Sequence, residues 1–466
     1  MTGILDDNGW ACQEFNRAQL GDQRLTERLV NLAAQAARSP AGTIAAVFRD
    51  AAEREAVFRF VESDRFSHTD LALSAHRACA VRCSAFPYVF VPTDGSSLLL
   101  SDPDGSKGLG GVGAWNKGGR GLQTMTAIAL SPDGIPLGIL GQKLWARVAR
   151  SPSEKKDPRA PHQRESQAWL DVMHDAQQIL CVKAPDTVPW FQLDRGGDCG
   201  RVILCGLELA VLFTVRAAHD RSVMDPEEYR RLRLWKRVRE APAQSLYLLH
   251  VPGGDKRTER MAMMALRFCP VTLHLKNEEN QKVPATLWAV HVREVGSTPV
   301  GEQPIEWLLL SNHPTDSVEA ARLVVTGYTQ RWRVEQFHKL WKSDGCHVED
   351  TQLRSSEAIC KWATVLASVA MRIERIVYLS RQEPDLPADV EFNRAEIDAV
   401  ILLRRPKGVR RGDLPTVGQV ARWIADLGGY TGKSSGGPFG QKVLARGLDY
   451  IAPVAQLLAQ GNVIND

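Results

Sequence analysis

The sequence predicts an α/β protein in which a central, sheet-forming region lies between a helical N-terminal and a helical C-terminal region. Apolar residues recur at helical spacing through residues 1–85, where Pro and Gly are sparse. From Pro87 the pattern changes to short apolar runs separated by turn residues, which is typical of strands. Beyond about residue 354 the spacing becomes helical again. These two changes of pattern predict three domains, at 1–85, 86–353 and 354–466.

The N-terminal domain is predicted to be a small group of helices. Helical spacing covers residues 24–38 and continues through 53–62. Thr43 lies between them and can cap the intervening segment, because its hydroxyl can accept a hydrogen bond from a backbone N–H two or three residues later.

The central domain is predicted from the order of its elements. Three strands come first, and the second and third flank the turn 131–134: 88–92, 122–130 and 135–144. Next come a helix at 165–180 and a strand at 188–193. A segment of helical character follows, and after it a further strand at 209–215. This order is that of a ribonuclease H-like α/β domain.

A β-rich insertion, at about 225–310, interrupts that order before the last helix of the domain. It contains five strand-like segments: 245–251, 261–268, 271–275, 287–292 and 307–310. The C-terminal domain has three helical patterns: 358–379, 395–403 and 417–427.

Composition limits the class of protein. The 466 residues are 44% hydrophobic and 24% charged, which is ordinary for a globular chain and excludes a disordered one. The net charge of +4 means that any nucleic-acid surface must come from local clusters of basic residues. Nine cysteines without a CxxC pair argue against a zinc site or a disulfide framework. Without a signal sequence or a long apolar run, we expect a soluble, cytoplasmic protein that does not enter a membrane.

One short segment, YTQRWRVEQFHKLWK, carries a polar stripe if it is helical. At about 100° per residue, four polar residues fall within an arc of roughly 60°: Tyr328, Arg331, Glu335 and Lys342. Four apolar residues occupy the other side: Val334, Phe337, Leu340 and Trp341. A carboxylate beside basic groups suits a site that holds a metal next to a phosphate. The alternative is an ordinary amphipathic helix with a solvated face and an i,i+4 ion pair.

Two aspartates lie where the predicted strands end. Asp94 follows the first strand and Asp194 follows the fourth, and these strands are neighbours in the predicted order. The last helix then brings Glu335 to the same edge. Three carboxylates shared between two Mg²⁺ ions would build a two-metal site for phosphoryl transfer on nucleic acid. The alternative for each aspartate is an ordinary turn residue.

These residues resemble a known family. The pattern Y-x-x-R-x-x-x-E-x-x-x-x-x-x-K resembles the signature of DDE transposases of the insertion-sequence-four family, and its wording is close to the transposon-five branch. Asp94 and Asp194 match the first and second acids of that family. Similarity extends over almost the whole chain, in four further segments: 20–29, 58–63, 306–311 and 427–433.

The resemblance implies a cut-and-paste DNA transposase. Such an enzyme binds the terminal inverted repeats of a transposon as a homodimer, cleaves double-stranded DNA through a hairpin intermediate, and joins the ends to target DNA. It implies Asp94, Asp194 and Glu335 as catalytic residues that hold two Mg²⁺ ions, for which Mn²⁺ substitutes. The N-terminal domain would bind the transposon end and the C-terminal domain would dimerise.

The resemblance also implies DNA-binding residues. Tyr328, Arg331 and Lys342 would hold phosphates, Arg216 would face them as well, and Trp307 would stack on a base flipped from the transposon end. The alternative for Trp307 is a core residue of a strand. Three N-terminal arginines would bind the end sequence, although surface arginines are often merely solvated: Arg24, Arg28 and Arg59.

Two other functions remain open from the sequence. One is a catalytically silent, transposase-derived DNA-binding regulator, and the other is a structure-selective nuclease with the same core. The intact set of three acids favours an active transposase, because binding alone does not need metal-ligating carboxylates.

Overall fold

The computed structural model describes residues 9–113, 118–147, 165–224, 231–251, 253, 257–433 and 437–461. These residues form a mixed α/β protein with one twelve-stranded sheet and many helices, which confirms the predicted class. No helix in this described part is both long and apolar enough to cross a membrane.

The N-terminal region is helical, as predicted. From residue 9 onwards, where the structure describes this region, it contains five helices: α1 (Gly9–Phe15), α2 (Gln23–Arg38), α3 (Ile44–Val47), α4 (Ala51–Val61) and α5 (His68–Cys83). The Asp22 side chain caps α2 by accepting a hydrogen bond from the Arg24 amide at 2.9 Å. Thr43 caps α3 in the same way through the Ala46 amide, which confirms the predicted cap.

The twelve strands form a single mixed sheet in the order β2-β3-β1-β5-β6-β12-β11-β10-β7-β8, with β4 paired to β3 and β9 paired to β10. The first six strands are β1 (Tyr88–Leu99), β2 (Gly110–Val112), β3 (Gly119–Leu130), β4 (Pro136–Trp145), β5 (Val188–Leu193) and β6 (Leu212–Arg216). The other six are β7 (Ser222–Met224), β8 (Arg231–Arg233), β9 (Ser245–Val251), β10 (Arg260–Lys276), β11 (Lys282–Glu294) and β12 (Glu306–Ser311). At the centre, β1 pairs in parallel with β5, and β5 with β6.

The predicted β-rich insertion extends this sheet, because β12 pairs with β6 and so joins the two halves edge to edge. A short helix, α8 (Leu234–Glu240), lies in the same part of the chain. The prediction of separate strands at 261–268 and 271–275 was wrong, since β10 is continuous through Pro270. On one side of β10, Pro270 pairs with Trp288 of β11. On the other side, β9 pairs with residues 260–266 and β7 pairs with residues 272–273, so neither of these strands pairs with Pro270. A missing N–H costs little where a strand has no partner.

Both faces of the central sheet are covered. Val89 and Val91 of β1 point to the face covered by α6 (Gln167–Lys183) and α7 (Gly200–Glu208). Phe90 lies between them in the sequence and points to the opposite face, where it packs with Trp190. This alternation is the period-two pattern of a strand buried on both sides.

The segment that carries the polar stripe lies on the Phe90 face. It consists of α9 (Val318–Thr329), α10 (Trp332–Lys339) and a π-helical turn, Leu340–Asp344. The prediction of one uninterrupted helix was therefore wrong. The amides of Gln330 and Arg331 bond to carbonyls three residues earlier, each at 3.1 Å, which tightens the chain between α9 and α10. The apolar side of the stripe is buried as predicted, with all four residues at most 1% exposed.

The C-terminal region contains α11 (Ser356–Gln382), α12 (Arg394–Arg404), α13 (Val417–Leu427) and α14 (Gln441–Ala459). The long helix α11 packs against the N-terminal region, where the Trp362 indole donates to the Gly42 carbonyl at 2.7 Å. The predicted C-terminal helices did not include α14, which has Pro453 inside it. A proline in a helical pattern usually indicates a break.

Candidate active site

Asp94 and Asp194 occupy equivalent places on neighbouring parallel strands. The last paired residues of β1 and β5 are Thr93 and Leu193, so each aspartate directly follows this pair. The prediction that the first strand stops before Asp94 was wrong, because β1 continues to Leu99 along β3, where Asp94 pairs with Thr126. Asp94 nevertheless lies just beyond the end of β5, which leaves both carboxylates at one edge of the parallel part of the sheet.

Each aspartate has one oxygen fixed by the local backbone. The Gly95 amide donates to Asp94 Oδ1 at 2.7 Å, and the Gly196 amide donates to Asp194 Oδ1 at 2.7 Å. Asp194 thereby caps the 3₁₀ turn Arg195–Gly197. These bonds restrain the carboxylates without using their second oxygens.

Close packing of α9 on β1 brings the polar stripe to this edge. A Cβ at Gly327 would lie 2.5 Å from the Phe90 ring and 3.0 Å from the Gln192 amide nitrogen. Only glycine allows the helix to approach this closely. The following residue, Tyr328, is 5% exposed and begins the stripe against the sheet.

Arg331 joins two of the three acids. One of its terminal nitrogens lies 3.0 Å from Asp94 Oδ2, and the other lies 2.5 Å from Glu335 Oε1. The Arg331 side chain is 15% exposed. The i,i+4 ion pair between Arg331 and Glu335, which an ordinary amphipathic helix would also form, is therefore present. Here it belongs to a half-buried cluster that also includes Asp94 from the sheet.

The cluster leaves excess negative charge on the acids. Burial, followed by the Asp194 and Glu335 charges, raises the pKa of Asp94, while Arg331 and the Gly95 amide lower it, and the net result is a pKa of about 6. A second cation beside these carboxylates would favour the ionised form. Carboxylate oxygens are the ligands that Mg²⁺ prefers, so the donor set fits this ion.

In this structure the carboxylates of Asp94, Asp194 and Glu335 do not surround a common point. Among the residues that the structure describes, no three acidic, histidine or cysteine side chains are grouped closely enough to hold a metal ion. Arg331 lies between two of the three carboxylates. Arg331 occupies one oxygen of Asp94 and one of Glu335, so a divalent cation shared by all three acids would have to use their other oxygens or displace the guanidinium.

Lys342 lies at the same surface cavity as Asp94 and Glu335. Its Nζ is 3.5 Å from Glu349 Oε1, which also accepts a hydrogen bond from the Leu99 amide at 2.7 Å. Sequence reasoning missed Glu349, since no local pattern marks it and the contact forms only when the chain folds back through the 3₁₀ turn Val348–Asp350.

His338 also borders this cavity but is almost fully buried. Burial and the nearby Lys342 charge lower its pKa to about 3, so it is neutral at physiological pH. Its Nε2 has no hydrogen-bond partner in the described part of the chain. A group with so low a pKa is a weak base, which argues against His338 as a proton acceptor at this site.

Trp307, Tyr328 and Arg216 form a second group beside the acids. The Trp307 and Tyr328 rings pack edge to face with centroids 5.6 Å apart, and Trp307 remains partly exposed. Arg216 lies close enough to Tyr328 for its charge to act on the phenol, and it donates to the Glu306 carbonyl at 3.2 Å. Burial raises the pKa of Tyr328 above its usual value, although both Arg331 and Arg216 oppose this. The phenol therefore stays protonated and can donate a hydrogen bond.

The three N-terminal arginines lie on the surfaces of α2 and α4, away from the elements that form the acidic cluster. Arg24 and Arg28 border a shallow cavity that also contains Glu27. Arg59 is 3.8 Å from Glu55, and both side chains are about 70% exposed. Their geometry fits either a DNA-facing surface or ordinary solvated side chains.

Two models of known protein families match this chain. Residues 7–66 match a transposase DNA-binding domain, and residues 368–459 match the transposase Tn5 dimerisation domain. The first match covers α1 to α4, and the second runs from within α11 to the end of α14. Together they support a Tn5-like transposase that binds DNA and forms homodimers. The three acids lie in the segment between the two matches.

Proposed function

We propose that this protein is a cut-and-paste DNA transposase of the insertion-sequence-four family, with a ribonuclease H-like catalytic core. One observation carries the proposal: Asp94, Asp194 and Glu335 meet at one edge of parallel strands, beside Arg331, in a chain that matches DNA-binding and dimerisation families on either side. An acidic cluster within a DNA-binding protein suits metal-assisted phosphodiester cleavage.

Asp94, Asp194 and Glu335 would hold two Mg²⁺ ions, which Mn²⁺ can replace. Bound there, the ions would activate the attacking oxygen and stabilise the leaving oxygen of the phosphodiester. Arg331 would release Asp94, Glu335 or both, and its guanidinium would then be able to bind a DNA phosphate in a bidentate way. In the absence of DNA, the same side chain offsets part of the carboxylate charge.

The other proposed DNA contacts follow from their positions around the cluster. Lys342 would exchange its long contact with Glu349 for a phosphate, and the Tyr328 hydroxyl and Arg216 would donate to phosphate oxygens nearby. The exposed part of Trp307 would receive a flipped base, because Tyr328 supports its ring from the edge. A flipped base at this point would open the DNA end for hairpin formation.

The N-terminal helices would bind the terminal inverted repeats, and the C-terminal helices would join two subunits on the DNA. Each end would be nicked, closed into a hairpin and reopened before it is joined to target DNA. We place this activity in the cytoplasm of a bacterial cell, at the nucleoid.

The direct test uses purified protein, Mg²⁺ and a duplex that carries the terminal repeat found beside the coding region. We expect a nick followed by a hairpin, and no cleavage of a duplex with a scrambled repeat. Equal cleavage of both duplexes would indicate a nuclease instead. Binding without cleavage in Mg²⁺ or Mn²⁺ would indicate a silent DNA-binding regulator.

Trp307→Ala is expected to slow hairpin formation about 5- to 150-fold, which corresponds to the loss of roughly 1–3 kcal/mol of base stacking. The first nick should change much less, since it does not need a flipped base. Single-turnover assays with labelled DNA ends separate the two steps. Trp307→Phe is the matched control and should retain most of the hairpin rate. Equal slowing of both steps would contradict the stacking role.

Arg24→Gln combined with Arg28→Gln is expected to weaken binding to the end sequence. If each arginine contacts a phosphate, the slope of log affinity against log salt should fall by about 0.9 per residue. Fluorescence anisotropy over a range of salt concentrations measures this slope. Glu27→Gln, on the same helix, removes a negative charge and should not weaken binding. An unchanged slope in the double variant would show that the two arginines are only solvated.

A further inference from the structure

Glu374 is a buried carboxylate that takes no part in the proposed cleavage of DNA. It lies on α11, and its side chain is only 4% exposed. The Gln441 amide, at the start of α14, donates to both of its oxygens at 3.2 and 3.3 Å. Arg333, on α10, lies 3.8 Å from Oε2. Three separate helices therefore meet at this one side chain.

Arg333 links this carboxylate to the candidate active site. It lies two residues before Glu335 on α10, and its guanidinium stacks over the Tyr378 ring at 4.8 Å. It also donates to the Gly134 carbonyl at 3.4 Å. The Tyr378 hydroxyl in turn donates to the carbonyl of the preceding residue, Asp133. The first turn of α10 is thus held between α11 and the turn that joins β3 to β4.

The energetics make these contacts interdependent. Burial raises the pKa of Glu374, and Arg333, the Gln441 amide and the Arg381 charge act in the opposite direction, so the ionised form depends on these partners together. Loss of one partner leaves a buried charge without adequate compensation, which is costly. A displacement of α14 that removed Gln441 would therefore change the pairing of Glu374 with Arg333.

Glu374, Tyr378 and Gln441 all lie in the segment that matches the dimerisation domain, whereas Arg333 and Glu335 lie outside it. We propose that Glu374 is a positioning residue that couples the dimerisation region to α10, and so orients Glu335 through Arg333. This inference rests on the proposed function for the role of Glu335. The coupling itself is a property of the fold and can be measured without catalysis.

A matched control lies on the same helix. Arg375 is the neighbour of Glu374 in sequence, and its Nε lies 2.6 Å from Glu391, which is also buried. Its other contact is the Pro136 carbonyl at 2.9 Å. In the described part of the chain, this pair is an Arg–carboxylate contact of α11 that does not involve α10. Glu391→Gln therefore perturbs α11 without breaking the proposed link.

The test compares Glu374→Gln with Glu391→Gln in the full chain, using hydrogen exchange of backbone amides and DNA cleavage. Glu374→Gln should speed exchange of the α10 amides about tenfold, through easier local opening, with α12 and α13 unchanged. Cleavage should slow about 10- to 100-fold, as for other residues that orient metal ligands, with end-DNA affinity within about twofold. Glu391→Gln should change neither α10 exchange nor cleavage.

Two results would overturn the coupling. One is α10 exchange in Glu374→Gln that equals the wild type, and the other is faster exchange spread equally over α10 to α13 in both variants. If Glu374→Gln does not fold, Gln441→Ala removes only the amide partner and should reproduce the α10 effect at smaller amplitude. Failure of the wild-type protein to cleave any end would refute the proposed function, while the exchange comparison would still decide whether the coupling exists.

Discussion

Glu335→Gln protein is expected to bind its end DNA with unchanged affinity and to cleave it at least about 1,000-fold more slowly. Losing a metal ligand from the site removes several kcal/mol of transition-state stabilisation, and each 1.4 kcal/mol or so corresponds to a factor of ten in rate. The substitution keeps the size of the side chain, and an amide can still accept a hydrogen bond from Arg331. Single-turnover cleavage and a binding isotherm on the same duplex measure the two quantities.

Glu349→Gln is the matched control for this experiment. Glu349 is a neighbouring carboxylate at the same site, but its contacts are Lys342 and the Leu99 amide, and it is not one of the three acids. We expect cleavage by this variant to stay within about tenfold of the wild type, since only a positioning contact is lost. Cleavage by Glu335→Gln at a rate close to the wild type would contradict the proposed role of Glu335.

Asp94→Asn is expected to stabilise the metal-free protein at pH 7.5 by about 1–3 kcal/mol, because Asp94 is held in a site that disfavours its charge. Its pKa is raised from the ordinary aspartate value of 3.8 to about 6. The native state therefore binds the proton more tightly than the unfolded state does. The free energy of unfolding therefore falls as the pH rises from about 4 to about 6, and the whole destabilisation is present above this range.

Urea denaturation at pH 4.5 and pH 7.5 tests this expectation. The stabilisation by Asp94→Asn should be clearly larger at pH 7.5 than at pH 4.5, where the wild-type carboxyl is still protonated in the folded state. Mg²⁺ should stabilise the wild type at pH 7.5 by mass action and have much less effect on the variant. A variant that is no more stable than the wild type at pH 7.5 would show that the acids are well compensated without a metal.

The elements that could be predicted from the sequence are those marked by a pattern of neighbouring residues. The strand at 188–193 and the helix at 417–427 have the predicted bounds, because their apolar periodicity and flanking turn residues act over a few positions. The approach of Asp94 to Glu335 also followed from the sequence, since strand order and the final helix were enough to place them at one edge. Their roles as metal ligands remain predictions.

Tertiary contacts decided the features that the sequence did not reveal. The continuation of β10 through Pro270 depends on where its partner strands stop, and that of β1 through Asp94 depends on β3. The ion pair between Arg331 and Asp94 joins two residues that lie 237 positions apart in the chain. Glu349 and Glu374 acquire their partners only after distant segments pack together. Periodicity contains no information about such contacts.

The most direct measurement is anomalous scattering from crystals of the protein bound to its end DNA in Mn²⁺. We predict two Mn²⁺ ions about 4 Å apart, with oxygens of Asp94, Asp194 and Glu335 as ligands at about 2.0–2.3 Å. The Arg331 guanidinium should have left at least one carboxylate and should contact a DNA phosphate. Absence of Mn²⁺ from this edge of the sheet, with Arg331 still joining Asp94 to Glu335 on bound DNA, would contradict the proposed active site.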